Sequence, residues 1–62
     1  MVGLNIKKIR VSAGLTQLQL AKKVGVSEPM ICQIERGTKM PTVILAKEIA
    51  DALNVNINKL LE

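Results

Sequence analysis

The sequence predicts an all-α chain of five short helices, and two observations carry this prediction. Apolar residues recur at helical spacing in each segment, and residues that begin or end helices separate the segments. Gly25 and Gly37 each follow such a segment, where glycine can adopt positive φ without a Cβ penalty. The 62 residues leave room for a single domain over 1–62 with a small core.

The first two helices are expected over residues 4–13 and 17–24. In the first, Arg10 lies on the same face as the apolar residues, so it falls on a half-buried side. The second begins with a capping box, in which the Thr16 hydroxyl and the Gln19 side chain each take up a free backbone N–H. The residues expected to face the core from these two helices are Val2, Ile6, Ile9, Ala13, Leu20, Ala21 and Val24.

The third helix is expected over residues 28–36. Ser27 is its N-cap, Pro29 is tolerated because the first turn has no N–H partner to lose, and Gly37 ends it. At about 100° per residue, one side carries apolar residues for the core and the other carries mainly polar ones. The inward set is Met30, Ile31 and Ile34, and the outward set is Pro29, Cys32, Gln33 and Arg36, with Glu28 at the leading end.

A fourth helix, capped by Thr42, is expected to reach Leu53. Asn54 then stands where a glycine is usual, and asparagine is the next most tolerant residue of the left-handed conformation. Either Asn56 or Asn58 caps a short fifth helix. The residues expected to face inward from these two helices are Val43, Ala46, Ile49, Ala50, Leu53, Ile57, Leu60 and Leu61.

Composition excludes several classes of function. There is no histidine and one cysteine, which leaves no zinc site, no internal disulfide and no nucleophile–base pair for an enzyme, and suits a reducing cytoplasm. No segment suggests a cofactor, a small-molecule ligand or a membrane span. The net charge of +4 fits a polyanionic partner as well as an ordinary basic surface. The absence of aromatic residues argues against single-stranded nucleic acid and for a duplex.

Two short helices joined by a glycine turn, the second with a polar outer face, form the helix-turn-helix arrangement. The segment GLTQLQLAKKVGVS, the Ile-x-x-Ile-Glu-x-Gly helix end and Pro41 resemble the Cro/phage-repressor (Xre-type) helix-turn-helix family. The resemblance covers about Ile6 to Leu61 and implies a compact, lambda-repressor-like DNA-binding domain of five helices, with the motif formed by helices 2 and 3. It also implies a sequence-specific regulator of transcription, usually a repressor, that acts as a homodimer on a palindromic operator.

In this family the third helix lies in the major groove, so the resemblance implies base contacts from four of its residues. The Gln33 amide suits a bidentate pair with adenine, the alternative being an exposed glutamine without a task. Glu28 either accepts a hydrogen bond from cytosine or only interacts favourably with the helix dipole. Pro29 offers apolar contact to a thymine methyl. Cys32 faces the groove or is a small exposed residue, and a redox-sensing role is a further alternative.

The resemblance assigns other residues to phosphates or to the fold. The residues matched to phosphate contacts are Gln17, Ser27, Arg36, Thr38 and Lys39. Three lysines add positive field or are ordinary surface: Lys8, Lys22 and Lys23. Glu35 matches the position that pairs with Arg10, a structural lock between helices one and three; the alternative is that the Arg10 side chain reaches back to solvent.

Helix four carries apolar residues that point away from its inward face. Ile44 and Leu45 stand beside Glu48 and Ala52, which suggests a dimer interface rather than scattered surface hydrophobes. The same pair, with the unusual Glu28-Pro29 start of helix three, supports a second class of function. In that alternative the chain is a protein-interaction module, such as an antitoxin or a bridging coactivator.

Overall fold

Five α-helices and no strand make up the structure. The computed structural model describes all 62 residues, and its helices are α1 (Val2–Ser12), α2 (Gln17–Val24), α3 (Glu28–Arg36), α4 (Val43–Ala52) and α5 (Asn58–Leu61). The all-α, five-helix prediction is confirmed, although α1 begins two residues earlier than expected. None of these helices combines the length and apolar character needed to cross a membrane.

The helix starts depend on local hydrogen bonds that the sequence predicted. At α2, Thr16 Oγ1 accepts the Gln19 N–H at 3.0 Å, and Gln19 Oε1 accepts the Thr16 N–H at 2.9 Å. The hydroxyls of Ser27 and Thr42 each accept the backbone N–H three residues on, at 3.3 and 3.1 Å. These caps satisfy donors that the first turn of a helix leaves free, so α2, α3 and α4 each have a defined first residue.

The end of α4 is also determined by residues close together in sequence. Asn54 adopts a φ of +59°, the left-handed conformation expected of it. Beyond it, Asn56 Oδ1 accepts the Asn58 N–H at 2.9 Å. Ile57 occupies the N-cap position of α5, so the expectation that Asn56 or Asn58 caps this helix is wrong, although Asn56 accepts a hydrogen bond from its first residue.

The core is a cluster of nine buried residues to which every helix contributes. It comprises Ile6, Leu20, Ala21, Ile31, Ile34, Ile49, Ala50, Leu53 and Leu60. Three residues expected to face inward are exposed instead: Ala13, Val43 and Leu61. Val43 is the first residue of α4 and Leu61 the last of α5, so each lies at the rim of the core, and Ala13 already belongs to the turn after α1.

Gly3 lets α1 approach the backbone of α3. A Cβ at this position would overlap the Ile34 carbonyl oxygen and lie 3.0 Å from that of Glu35. Alanine is the better helix former by about 1 kcal/mol. We nevertheless expect Gly3→Ala to destabilise the protein by about 1–3 kcal/mol, because the added methyl forces the two helices apart.

Urea denaturation followed by circular dichroism measures this effect. Ser12→Ala, in the exposed last turn of α1, is the control and should shift stability by no more than about 0.5 kcal/mol. An unchanged or raised midpoint for Gly3→Ala would show that α1 moves away from α3 without cost.

Candidate nucleic-acid interface

The outward side of α3 is a continuous surface. Glu28, Pro29, Gln33 and Arg36 are exposed there, whereas Ile31 on the opposite side is fully buried. Because residues three and four apart share a face of a helix, Pro29, Gln33 and Arg36 form one stripe, with Glu28 at its leading end. The structure thus brings together three of the four residues predicted to contact bases, with the fourth, Cys32, half-buried at the edge.

A buried ion pair holds α3 against α1. Arg10 Nε donates to Glu35 Oε2 at 2.7 Å and Arg10 Nη2 donates to Glu35 Oε1 at 3.1 Å, a bidentate arrangement. Arg10 Nη1 also donates to the Leu15 carbonyl oxygen at 2.7 Å, which ties in the turn that leads to α2. The guanidinium is enclosed rather than extended to solvent, since Arg10 is only 8% exposed. The ion pair therefore fixes the orientation of α3 relative to α1.

Gln17 joins this network from the first residue of α2. Its Nε2 donates to Glu35 Oε1 at 3.0 Å, a contact that the sequence did not suggest. One amide hydrogen of Gln17 is thereby occupied, and the second amide hydrogen and the side-chain oxygen remain available. The side chain is half-buried and held at the positive end of the α2 dipole, a position suited to an anion.

The hydroxyls that flank α3 differ in what they can donate. Ser27 Oγ accepts a hydrogen bond from the Met30 N–H, so its own hydrogen is free for another acceptor. Thr38 Oγ1 instead donates to the Gln33 carbonyl oxygen at 3.1 Å. A phosphate contact through Thr38 would have to break this bond, whereas one through Ser27 would not.

The charge near α3 is positive on balance. Arg36 and Lys39 are exposed and neither lies within 4.0 Å of a carboxylate, because the salt bridges of the chain are Arg10–Glu35 and the exposed Lys59–Glu62. The negative charge of Glu35 is buried and paired, which leaves Glu28 as the acidic group on the exposed surface of α3. An unpaired positive flank of this kind attracts a polyanion.

The face of α4 predicted as a dimer interface is less apolar than expected. Ile44 is 74% exposed and Glu48 is also exposed, but Leu45 and Ala52 are half-buried and pack against the core. Leu45 precedes the buried Ile49 by one helical turn, so it lies on the flank of the inward face. The expectation that Ile44 and Leu45 form an exposed pair is therefore wrong for Leu45.

Sequence reasoning missed an apolar groove at another place on the surface. It lies where α1 and α4 begin and α5 ends, and its lining includes Val2, Met40, Pro41, Val43, Ile57 and Leu61. The available signal was an excess of apolar residues at these helix ends, but helical spacing assigned Val43 and Leu61 to the core. The groove became visible only when the helices were placed together.

Comparison with known proteins identifies the fold. The helix-turn-helix family model matches residues 6–60. An uncharacterized HTH-type transcriptional regulator of Sinorhizobium fredii, y4dJ, is 39% identical over 56 residues, which cover 90% of this chain and 73% of that protein. The immunity repressor protein of Bacillus phage phi105 is 35% identical over 60 residues, which are 97% of this chain and 42% of the repressor.

A solved structure agrees over the full length. The master regulator for biofilm formation SinR, crystallised in complex with DNA, has a TM-score of 0.93 to this chain at 30% identity, with complete coverage of both chains. The family match, the curated relatives and this superposition all extend across α1 to α5. The chain belongs to the Cro/phage-repressor (Xre-type) helix-turn-helix family and is a transcriptional regulator with the DNA-binding fold of that family.

Proposed function

We propose that this protein represses transcription by binding double-stranded DNA sequence-specifically, as a homodimer on a palindromic operator. The observation that carries this proposal is the exposed stripe of α3, which has polar groups at its surface and an unpaired positive flank. Two comparisons support it, because SinR was crystallised with DNA and the relative from phage phi105 is an immunity repressor. A protein bound at the operator would exclude RNA polymerase from it. We expect the protein in the cytoplasm, where the DNA that it would bind lies.

Base recognition is assigned to the first two turns of α3. Gln33 reads adenine through its amide, whose donor and acceptor match N6 and N7 in the major groove. Glu28 accepts from cytosine N4, Pro29 contacts a thymine methyl, and Cys32 contributes at the edge of the stripe. Exposure supports this assignment for the first three, whereas Cys32 is half-buried.

Phosphate binding is assigned to groups on either side of α3. Gln17 and Ser27 offer free donors at helix starts, and Arg36 and Lys39 offer unpaired charge. The Thr38 hydroxyl can donate to a phosphate only after its hydrogen bond to the Gln33 carbonyl oxygen breaks. One copy, 23 × 23 × 19 Å in extent, covers one half-site. Two copies would read half-sites about 34–36 Å apart.

The salt dependence of binding to duplex DNA tests the proposal against the protein-interaction alternative. Duplexes selected from a random library are titrated with the protein at increasing salt. Each neutralised phosphate contributes about −0.9 to the slope of log affinity against log salt, so a regulator loses affinity steeply between about 50 and 200 mM. A protein adaptor would bind the selected duplexes weakly at every salt concentration, and that result would contradict the proposal.

Substitution of Gln33 tests the assignment of base reading. Gln33→Ala should lose about 1–3 kcal/mol of discrimination at one base pair, because the bidentate amide contact is removed. Non-specific affinity should remain nearly unchanged. The readout is the affinity for a set of duplexes that differ at single positions. Lys39→Ala is the contrasting variant: it should weaken binding to all sequences alike and reduce the salt slope by about one.

The two variants separate base contacts from phosphate contacts. If Gln33→Ala weakened binding to every duplex by the same factor, Gln33 would be a backbone contact and the base-reading role would be wrong.

A further inference from the structure

Glu35 is buried, yet it is bonded to a residue at the edge of the surface proposed to bind DNA. Its side chain is only 2% exposed, so it cannot contact DNA itself. It accepts two hydrogen bonds from Arg10 of α1 and a third, at 3.0 Å, from Nε2 of Gln17, the first residue of α2. The ion pair with Arg10 explains why a carboxylate is tolerated in the interior. It does not explain the third bond, which leads to a half-buried residue assigned to a phosphate.

We propose that Glu35 is a positioning residue for DNA binding, which acts by orienting the Gln17 amide toward a phosphate of the operator. The inference rests on the proposed function, in which Gln17 binds phosphate. It gives the buried carboxylate a second role besides holding α3 against α1.

The chemistry of the two groups determines which end of the Gln17 amide faces Glu35. A side-chain amide has a donor end, the NH2 group, and an acceptor end, the oxygen, and a rotation of 180° exchanges them. A carboxylate accepts hydrogen bonds and donates none, so only the NH2 group can bind to it. Glu35 therefore fixes the place of Gln17 Nε2, and the second N–H of this nitrogen is left for another acceptor. A phosphate oxygen needs a donor of this kind.

An amide that is held before DNA arrives binds with a smaller loss of entropy. A long, freely rotating side chain loses rotamer freedom when it binds a phosphate. Gln17 has already lost that freedom in the folded protein, because its backbone belongs to α2 and its amide is bonded to Glu35. Preorganisation of this kind raises affinity, since the ordering is no longer part of the binding step.

A second glutamine of the same helix provides a reference. Gln19 is anchored through its oxygen, which accepts the Thr16 N–H at 2.9 Å, so its NH2 group faces solvent without a carboxylate. Gln17 is anchored through its nitrogen by a buried anion. The two side chains share a helix and a chemistry, and they differ in which end of the amide is held.

A double-mutant cycle on duplex DNA tests the coupling between Glu35 and Gln17. Gln17→Met removes the amide with little change of shape and should weaken binding to the selected duplexes about 10-fold, because a hydrogen bond to a charged group is lost. Glu35→Gln can keep its amide oxygen on Arg10 Nε, but it then turns an NH2 group toward Gln17 and should weaken binding about 5-fold. In the Gln17→Met background the same change should weaken binding by less than ~2-fold, because the amide that Glu35 orients is absent.

The direction of the Glu35→Gln effect separates positioning from charge. The substitution removes a negative charge from a chain of net charge +4, which by itself strengthens attraction to a polyanion. Asp51→Asn makes the same change of charge at an exposed residue of α4 and is the matched control. Its affinity should equal or slightly exceed that of the unmodified protein. Weaker binding by Glu35→Gln therefore has a cause other than net charge.

Hydrogen exchange of the side-chain amides, measured by NMR without DNA, tests the orientation directly. The bonded proton of Gln17 Nε2 should exchange with water at least ~5-fold more slowly than the protons of Gln19 Nε2, because its hydrogen bond must open first. Arg10→Met combined with Glu35→Leu removes the acceptor without leaving a buried charge, and it should abolish the difference. This double variant also takes the place of Glu35→Gln in the cycle if circular dichroism shows the latter to be unfolded.

The outcomes distinguish the positioning role from the proposed function. Equal factors for Glu35→Gln in the two backgrounds would overturn the positioning role alone, because a loss of folded protein weakens binding whatever residue stands at position 17. Unchanged or tighter binding by Glu35→Gln, or exchange at Gln17 as fast as at Gln19, would also overturn it. Failure of the unmodified protein to bind any duplex would overturn the proposed function and the positioning role with it.

Discussion

Glu35→Ala is expected to lower the free energy of unfolding by about 3–5 kcal/mol, because it leaves the Arg10 guanidinium buried without its anionic partner. The substitution also removes the acceptor of the Gln17 amide. Since whole domains are stable by only about 5–15 kcal/mol, a 62-residue chain should be largely unfolded by this single change. Urea denaturation at low temperature, followed by circular dichroism, measures the loss.

Removing both charges together distinguishes the loss of the ion pair itself from the cost of leaving one unpaired charge buried. Arg10→Met combined with Glu35→Leu should be more stable than Glu35→Ala alone, because no unpaired charge remains in the interior. Glu62→Ala breaks the exposed Lys59–Glu62 pair, whose atoms are 3.9 Å apart, and should change stability by no more than about 0.5 kcal/mol. A wild-type midpoint for Glu35→Ala would mean that the guanidinium reaches water and that the pair does not hold α1 to α3.

Leu60→Ala is expected to cost about 2–5 kcal/mol, although Leu60 lies in a helix of four residues near the end of the chain. Its side chain is fully buried in the core. The helix is tied to α1, because Asn5 Nδ2 donates to the carbonyl oxygens of Leu60 at 3.0 Å and Glu62 at 2.7 Å. The effect is measured as a shift in the midpoint of thermal or urea unfolding.

The neighbouring leucine provides the matched control. Leu61 is 59% exposed, so Leu61→Ala should change the stability of the monomer by no more than about 0.5 kcal/mol at protein concentrations too low for dimers. Equally small effects of the two substitutions would indicate that α5 frays from the core. The contrast depends on two adjacent, chemically identical side chains, so composition cannot account for it.

The starts of α2, α3 and α4 and the end of α4 could be predicted because they depend on residues close together in sequence. The capping box of Thr16 and Gln19, the hydroxyl caps of Ser27 and Thr42, and the left-handed Asn54 each act within three or four positions. Such interactions have the same partners before and after the helices pack. The polar stripe of α3 was predictable for the same reason, since helical spacing alone separates Gln33 from Ile34.

The errors occur at the ends and edges of helices. Spacing places Val43 and Leu61 on apolar faces, but whether such a face is covered at its last residue depends on the neighbouring helix. Leu45 shows the opposite case, because it lies on the edge of the inward face of α4 and the core extends far enough to contact it. Periodicity describes the direction of a side chain and contains no information about the extent of the surface that it meets.

By itself the sequence determined the number of helices, the caps of α2, α3 and α4, the outward face of α3 and, through its resemblance, the family. Only the tertiary structure decided that Gly3 must remain small, that Glu35 holds Gln17 and that an apolar groove stays open. The reason is the separation in sequence between the residues that interact. Caps and faces follow from neighbours within one or two turns, whereas the close approach of α1 to α3 and the gap left beside α5 depend on residues about 30 to 55 positions apart, which meet only when all five helices share one core.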